Sequence, residues 1–598
     1  MPGIVGLITT MPAAAAVTQL GDMLATLIHE PFYRAGTWWD SAMGVYLAWT
    51  SRSESPLGST PVTDTAGNPL LVFSGEEFSH DDMLEAASHP SFPSNLNGWF
   101  HGVLLNRSGR TAVLFNDRYG MHRMYYHQSD HAHYFAAEAK AILAVRPELR
   151  CLDYESLGEF VSCGAVLNDR SLFRGINLLP PGSAWKFTNA VLREKRRYFS
   201  PTEWEQQETL DLEPFHQQLR EVFANRLPSY FRPGEQIAMS LTGGLDTRMI
   251  MAWYRADPGD LPCYTFGGML RECKDVTIAR EVARVCNQPH QVIQVGEDFL
   301  SRFPHYAERA VYLTDGCVDV SRAPDLYLNE RARVIAPIRM TGNYGGEVLR
   351  SVRAFKPEES TAGLFPRELF GQAKRTYDDL LRCHPVSFAV FKQCPWHHYG
   401  ILALEETQLS LRSPFLDNDL IRTLYRAPLS AFKSAALSWR LIGDGSPNLL
   451  NIPTDRGLSR DGMGISGTLS HYLLQFLFKA EYAYDMGMPQ WLARVDHRLA
   501  RLPLERLFLG RHKIFHFRKW YKESLARYLS ELLLERRALQ RDYVDAGALR
   551  KLLSSHTRGD GNYTNEIHKV LTLELLCRQF IDAPLSGNRH IYATTFVS

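Results

Sequence analysis

Between an apolar run, Gln236–Ser240, and a helical stretch that opens at Asp246 lies Leu241-Thr242-Gly243-Gly244-Leu245-Asp246-Thr247. Paired glycines let backbone N–H groups approach an anion with no Cβ in the way, and a helix N-terminus adds a favourable field. The hydroxyls of Thr242 and Thr247 can donate to phosphate oxygens, and Asp246 can hold Mg²⁺ against them. The lysine of the longer Gly-x-x-x-x-Gly-Lys loop is missing. On spacing alone, such a glycine pair is more often a structural tight turn than a phosphate cradle.

The surrounding pattern supplies elements that can hold the loop. Cys263–Phe266 and His290–Val295 read as further strands. Asp275–Cys286 places Val276, Ala279, Val282, Ala283 and Cys286 on one helical face, with Asp275 as its N-cap. Strand–helix–strand alternation predicts a parallel sheet with crossover helices. Upstream, to about Phe199, short apolar runs separated by turns predict strands: Gly44–Trp49, Leu70–Phe73, Gly102–Leu105, Thr111–Phe115 and Tyr134–Ala137. A helix is predicted around Asp81–Ala87, and the polar, acidic Pro201–Leu212 reads as a linker. From about Ser413 helical patterns dominate, as in Ser524–Leu534 and Ile567–Phe580.

Composition excludes several classes. The 598 residues are 45% hydrophobic and 22% charged, which rules out a disordered chain and predicts more than one domain. Lys+Arg 66 against Asp+Glu 65 leaves a net charge of +1, so no basic excess points to nucleic acid or to a membrane. Nine cysteines without a Cys-x-x-Cys pair read as reduced thiols of a cytoplasmic protein. Residues 1–21 carry no charge, but Pro2, Pro12 and the lack of a basic n-region favour a buried strand, Gly3–Ile8, over a leader or anchor. The basic, aromatic run Arg511–Lys522 reads as an amphipathic helix with its aromatics inward. Glu405 and Glu406, adjacent on a helix, are predicted to face solvent, and His80, His397 and His398 lack metal-ligand spacing.

The glycine loop resembles the Ser-Gly-Gly-Leu-Asp-Ser pyrophosphate loop of the asparagine synthetase family, with both serines replaced by threonine. Met1-Pro2-Gly3-Ile4-Val5-Gly6 is similar to that family's Met-Cys-Gly-Ile-x-Gly start, and Ser74-Gly75-Glu76 to its Asn-Gly-Glu. Asp117-Arg118-Tyr119-Gly120, Tyr125-Tyr126 and Phe135–Ala141 follow its pattern, as do Leu172–Ile176, Leu179–Gly182 and Arg412–Asp417, in the same order along the chain. The resemblance implies an α/β protein of two domains. Residues 1–200 would form an N-terminal nucleophile hydrolase-like β-sandwich with helices, of the class II glutamine amidotransferase type. Residues 210–598 would form a parallel-sheet pyrophosphate-loop ATP-binding domain with a helical C-terminal portion.

The resemblance further implies ATP and Mg²⁺ as cofactors and adenylation of a small-molecule or peptide carboxylate. Ammonia or an amine then displaces AMP to give an amide. It implies nucleotide contacts from Leu241, Thr242, Gly243, Gly244, Leu245, Asp246 and Thr247, with Phe266 and Gly342, and Mg²⁺ on Asp246. A homodimer is implied by the same analogy. Several positions depart from the pattern. The nucleophilic cysteine is Pro2, Ser74 replaces the family's substrate-contacting asparagine, and His80–Asn97 holds no clear Ser-Asp-x-Glu counterpart, so an inactive glutaminase is expected.

In Thr341–Glu347, Asn343 replaces a catalytic glutamate and Gly346 an aspartate associated with Mg²⁺–pyrophosphate, leaving Glu347. Asp455 takes the place of the adenylation lysine, with Arg456 beside it. Tyr344, Glu347 and Arg456 are therefore the catalytic candidates, although Tyr344 reads more readily as a core tyrosine and Arg456 equally as half of a surface ion pair. The expectation is an ATP-dependent amide-forming ligase. Relatives that close a β-lactam or lasso-peptide ring, and a non-catalytic nucleotide-binding scaffold, are the alternatives.

Overall fold

The computed structural model describes residues 1–53, 62–63, 69–354, 356–358, 363–455, 465–487, 490, 493, 505 and 508–582. The first half is built on two six-stranded antiparallel sheets. One runs, in spatial order, Asn177–Leu178, Tyr125–Gln128, Ala132–Ala136, Ile4–Thr9, Val45–Arg52, Tyr33–Asp40. The other runs Val191–Arg197, Ser183–Thr188, Thr111–Asn116, Gly98–Asn106, Pro69–Glu77, Val62–Thr63. Period-two alternation decides how they stack: Ile4, Ile8, Val45, Leu47, Val103, Leu105, Leu114, Phe135, Trp185 and Phe187 form one core between them. Gly6 sits mid-strand because a Cβ there would lie 2.4 Å from the Phe135 ring.

The opposite face of the first sheet, with Val5, Leu7, Tyr46 and Tyr134, is covered by the helices Ala13–Ala25 and Ala139–Val145. The predicted helix around Asp81 is Met83–Ser88, whose N-cap Asp82 accepts the Leu84 N–H at 2.7 Å. The expected linker is only partly one. Thr202–Glu205 forms a helical turn that buries Trp204 against Phe199, with ring centroids 4.5 Å apart. An apolar indole inside a polar stretch outweighs its flanking charges.

The second half carries a five-stranded parallel sheet in the spatial order His290–Gln294, Cys263–Gly267, Ile237–Ser240, Ile338–Met340, Ser410–Arg412. In chain order these strands lie 3-2-1-4-5, so the direction of winding reverses between Ile237–Ser240 and Ile338–Met340. A helical portion follows, including Ile465–Tyr482, Ala526–Leu533, Ala546–Arg558 and Thr564–Leu576. The basic aromatic run is helical only over Phe517–Lys522, where Phe517, Trp520 and Tyr521 are buried. No helix among the described residues is long and apolar enough to cross a membrane.

One hydrophobic core passes through both halves, joining Leu7, Ile142 and Phe160 to Phe303, Leu328 and Leu571. Charge joins them as well. The side chain of Arg412, fully buried, forks onto Glu76 of the second antiparallel sheet and onto Glu235. Glu405 and Glu406 do not face solvent. Each is buried, Glu405 against Arg339 at 2.8 Å and Glu406 against His122 at 3.0 Å. Neighbouring helical residues diverge, and here each meets a cation from a different part of the chain, which no local pattern records.

Candidate nucleotide site

The glycine loop leaves the C-terminal end of the central strand Ile237–Ser240 and runs into the helix Asp246–Trp253. Its amides are drawn inward. Thr242 N–H approaches Thr247 Oγ1 at 3.4 Å, Gly244 N–H donates to Thr242 Oγ1 at 3.3 Å, and Gly243 N–H donates to Asp275 Oδ1 at 2.9 Å. Asp275 is therefore not an N-cap. The helix runs Lys274–Val285 with Cys273 at the cap position, and Asp275, in its first turn, turns back to the loop. A Cβ on Gly243 would stand 2.8 Å from that carboxylate oxygen, which is why glycine is needed there.

A second glycine loop, Thr341–Gly346, leaves the neighbouring strand Ile338–Met340 and interlocks with the first. Cβ atoms on Gly342 and Gly345 would lie 2.6 Å from Thr247 N and 2.7 Å from Asp246 Cγ. The short helix Gly345–Arg350 that follows is bracketed by two left-handed residues, Tyr344 at φ 71° and Ser351 at φ 49°. It carries Arg350 back onto Asp246. The guanidinium forks onto both carboxylate oxygens at 2.7 and 2.8 Å and also donates to Ser438 Oγ at 3.0 Å. Burial raises the Asp246 pKa, and Arg350 opposes the rise.

These loops border a cleft of about 810 Å³, within the usual range for small-molecule sites. Of the residues singled out in the sequence, Thr242, Gly244, Leu245, Asp246, Thr247, Phe266, Gly342, Tyr344 and Glu347 line it. Leu241 and Gly243 are buried behind the loop. Arg456 lies outside the described residues. Tyr344 is 4% exposed, edge-on to Trp99 at 5.5 Å and His398 at 5.7 Å, and burial lifts its phenol well above its ordinary range. Such a phenol stays protonated near neutral pH and does not serve as a base. Glu347 faces His398 at 3.2 Å. Burial would raise its pKa, yet the histidine contact brings it below the usual value.

The structure adds residues for which the sequence suggested no part in the site. Arg350, Asp275, Arg322, Asp325 and Lys433 line the same cleft. Asp325, buried, is pushed up to about 6 despite Arg322 at 3.4 Å. Lys433 is exposed and has no ion-pair partner among the described residues. One cue for Arg350 was available: it lies in the same loop–helix run in which Gly346 replaces an acid.

A Mg²⁺ ion ligated by Asp246 does not fit this arrangement. Both carboxylate oxygens are taken by a guanidinium, Gly346 offers no second acid, and no group of three metal-binding side chains exists among the described residues.

In the first half, Pro2 offers no thiol. Ser74 Oγ reaches the Pro2 carbonyl at 3.4 Å, and His101 Nε2 accepts the Ile4 N–H at 3.3 Å. Burial, with His122 nearby, lowers the His101 pKa to about 3, so the ring is neutral. Between this place and the cleft lies a cavity of about 10 Å³, room for a single water, bordered by Glu76, Trp99, His122, Glu406 and Arg412.

Comparison with known proteins matches residues 87–199 to the glutamine amidotransferase domain family, well under half of the chain. Residues 87–199 thus match a glutamine amidotransferase domain, and a five-stranded parallel-sheet half follows it. No curated protein matches. Among solved structures, the glutamine phosphoribosylpyrophosphate amidotransferase of B. subtilis, complexed with ADP and GMP, is 9% identical with a TM-score of 0.22, covering 50% of this chain and 70% of that one. A structure described as the allosteric regulatory enzyme of purine biosynthesis is 9% identical with a TM-score of 0.23, covering 48% and 80%. The NMN synthetase of Francisella tularensis is 13% identical with a TM-score of 0.16, covering 42% and 94%. Overlaps this loose carry no chemistry from those enzymes to this chain.

Proposed function

We propose that the chain is an ATP-dependent amide-forming ligase, with an amidotransferase-type domain at 1–200 that no longer hydrolyses glutamine and an ATP-using domain at 210–598. One observation carries the reading. Two interlocked glycine loops stand at the C-terminal ends of Ile237–Ser240 and Ile338–Met340, on either side of the point where the sheet reverses its winding. Ligands of open parallel sheets bind in that crevice.

A carboxylate is a poor electrophile, and adenylation gives it a leaving group. A substrate carboxylate oxygen attacks the α-phosphorus of ATP, and the bond to pyrophosphate breaks. An amine then attacks the acyl carbon and loses a proton, and AMP departs. In this reading Thr242, Thr247 and the Gly244 N–H receive the pyrophosphate, Arg350 and Lys433 offset its charge, and Phe266 borders the nucleotide. Glu347, paired with His398, accepts the amine proton. The water-sized cavity between the halves and the buried Arg412 beside it favour an amine that enters through the cleft, as free ammonia or as part of the substrate, the latter being a cyclase. ATP use and free thiols suit the cytoplasm.

The test is carboxylate-dependent exchange of labelled pyrophosphate into ATP over a panel of amino acids and peptide acids. Exchange with one acid identifies the reaction and the substrate class together. ATP binding without exchange on any acid would make the chain a nucleotide-binding scaffold instead.

A further inference from the structure

Arg350 lies between the two glycine loops, against Asp246 of the first and beside Gly346 of the second. Its guanidinium fills the room beside Gly346, where a Cβ would stand 3.1 Å from one terminal nitrogen and 3.8 Å from Asp246 Oδ2. Asp246 is itself closely approached by the second loop. Gly342 and Gly345 press the aspartate so closely that a Cβ on either would fall within 2.9 Å of its side chain. The guanidinium is held in turn by Ser438 at 3.0 Å, and its side chain keeps 19% of its exposure at the cleft wall. Its three bonds to Asp246 and Ser438 leave two of the five N–H donors of a guanidinium without a partner among the described residues. Arg322 and Arg339, also in the cleft, are committed to Asp325 and Glu405.

We propose that Arg350 is a built-in cation that replaces a loop-ligated metal ion: clamped to Asp246, it presents fixed positive charge to nucleotide phosphates, so that ATP binds without a divalent cation. An acid is missing at 346 and a base is present at 350, so the local charge is altered in the direction that removes the need for a metal. With the fork on Asp246, the two remaining N–H donors are left for phosphate oxygens, and being covalently part of the chain the group costs no ion binding. The inference rests on the reading of the cleft as an ATP site.

The experiment is calorimetric titration of the full-length chain with ATP, once with excess Mg²⁺ and once with EDTA. The affinity in EDTA should stay within about threefold of that with Mg²⁺. Arg350→Met should weaken binding in EDTA by about tenfold or more, the loss of a charge-assisted contact. In the double variant Gly346→Asp/Arg350→Ser, binding should become dependent on Mg²⁺. Wild-type binding that requires Mg²⁺ would overturn the inference while leaving the ATP site in place, and it needs no variant to fold. Absence of ATP binding under both conditions would overturn the ATP reading and this inference with it.

Discussion

Arg412 is the residue on which charge and burial weigh most. Its guanidinium is fully shielded, with Glu76 and Glu235 as its acidic partners, and their proximity more than offsets the cost of burial, holding its pKa above the ordinary value. Removing one member of such a group leaves a buried charge uncompensated, at a cost of about 3–5 kcal/mol. Arg412→Met should therefore lower the unfolding free energy measured by urea denaturation by that amount, and adding Glu235→Gln should restore part of it. A single variant that unfolds like the wild type would show the group to be neutral in sum. Gly342 poses the complementary case. Its neighbours are backbone and cannot swing aside, so Gly342→Ala should cost about 1–3 kcal/mol and weaken ATP binding at the same time.

At the scale of elements, the sequence made the strands and the loop legible and left their partners hidden. Alternation located Cys263–Gly267 and His290–Gln294, and the glycine pair located the turn between strand and helix. Helical spacing could not tell whether Asp275 would cap its own helix or reach the loop, because both need an acid near a helix start. Glu405 and Glu406 were misjudged for a related reason: their cations, Arg339 and His122, come from remote strands and loops. The Asp275 contact yields a prediction. A carboxylate held against Gly243 N–H competes with an incoming phosphate, and Asp275→Asn keeps the shape while removing the charge. ATP affinity should rise by about threefold or more. An affinity that falls would show that the acid organises the loop more than it repels the ligand.

Across the whole molecule, the seam between the halves is partly ionic and therefore answers to pH. Burial alone would lower the pKa of His122, but Glu406 more than offsets it and the pKa is raised; Glu406, in the mirror sense, is lowered by His122. The raised histidine contributes stability that is complete below its unfolded pKa of about 6.5 and is lost as pH rises through the folded value. The depressed carboxylate contributes above about 4.3 and is lost as pH falls through its folded value. Melting temperature should hence differ most between wild type and His122→Gln in the mildly acidic range and converge on the alkaline side. A difference that does not change with pH would remove the pair from this role.

The same seam bears on descent. Position 2 holds no thiol, yet the sheets around it are packed into a core that the second half shares. Leu7, Ile142 and Phe160 are packed with Phe303, Leu328 and Leu571, and Glu76 answers a charge that the second half buries at Arg412. Deleting residues 1–200 would strand that charge and expose the apolar surface beneath it. Whatever the second half does, selection on it alone is then enough to preserve the first as part of its support.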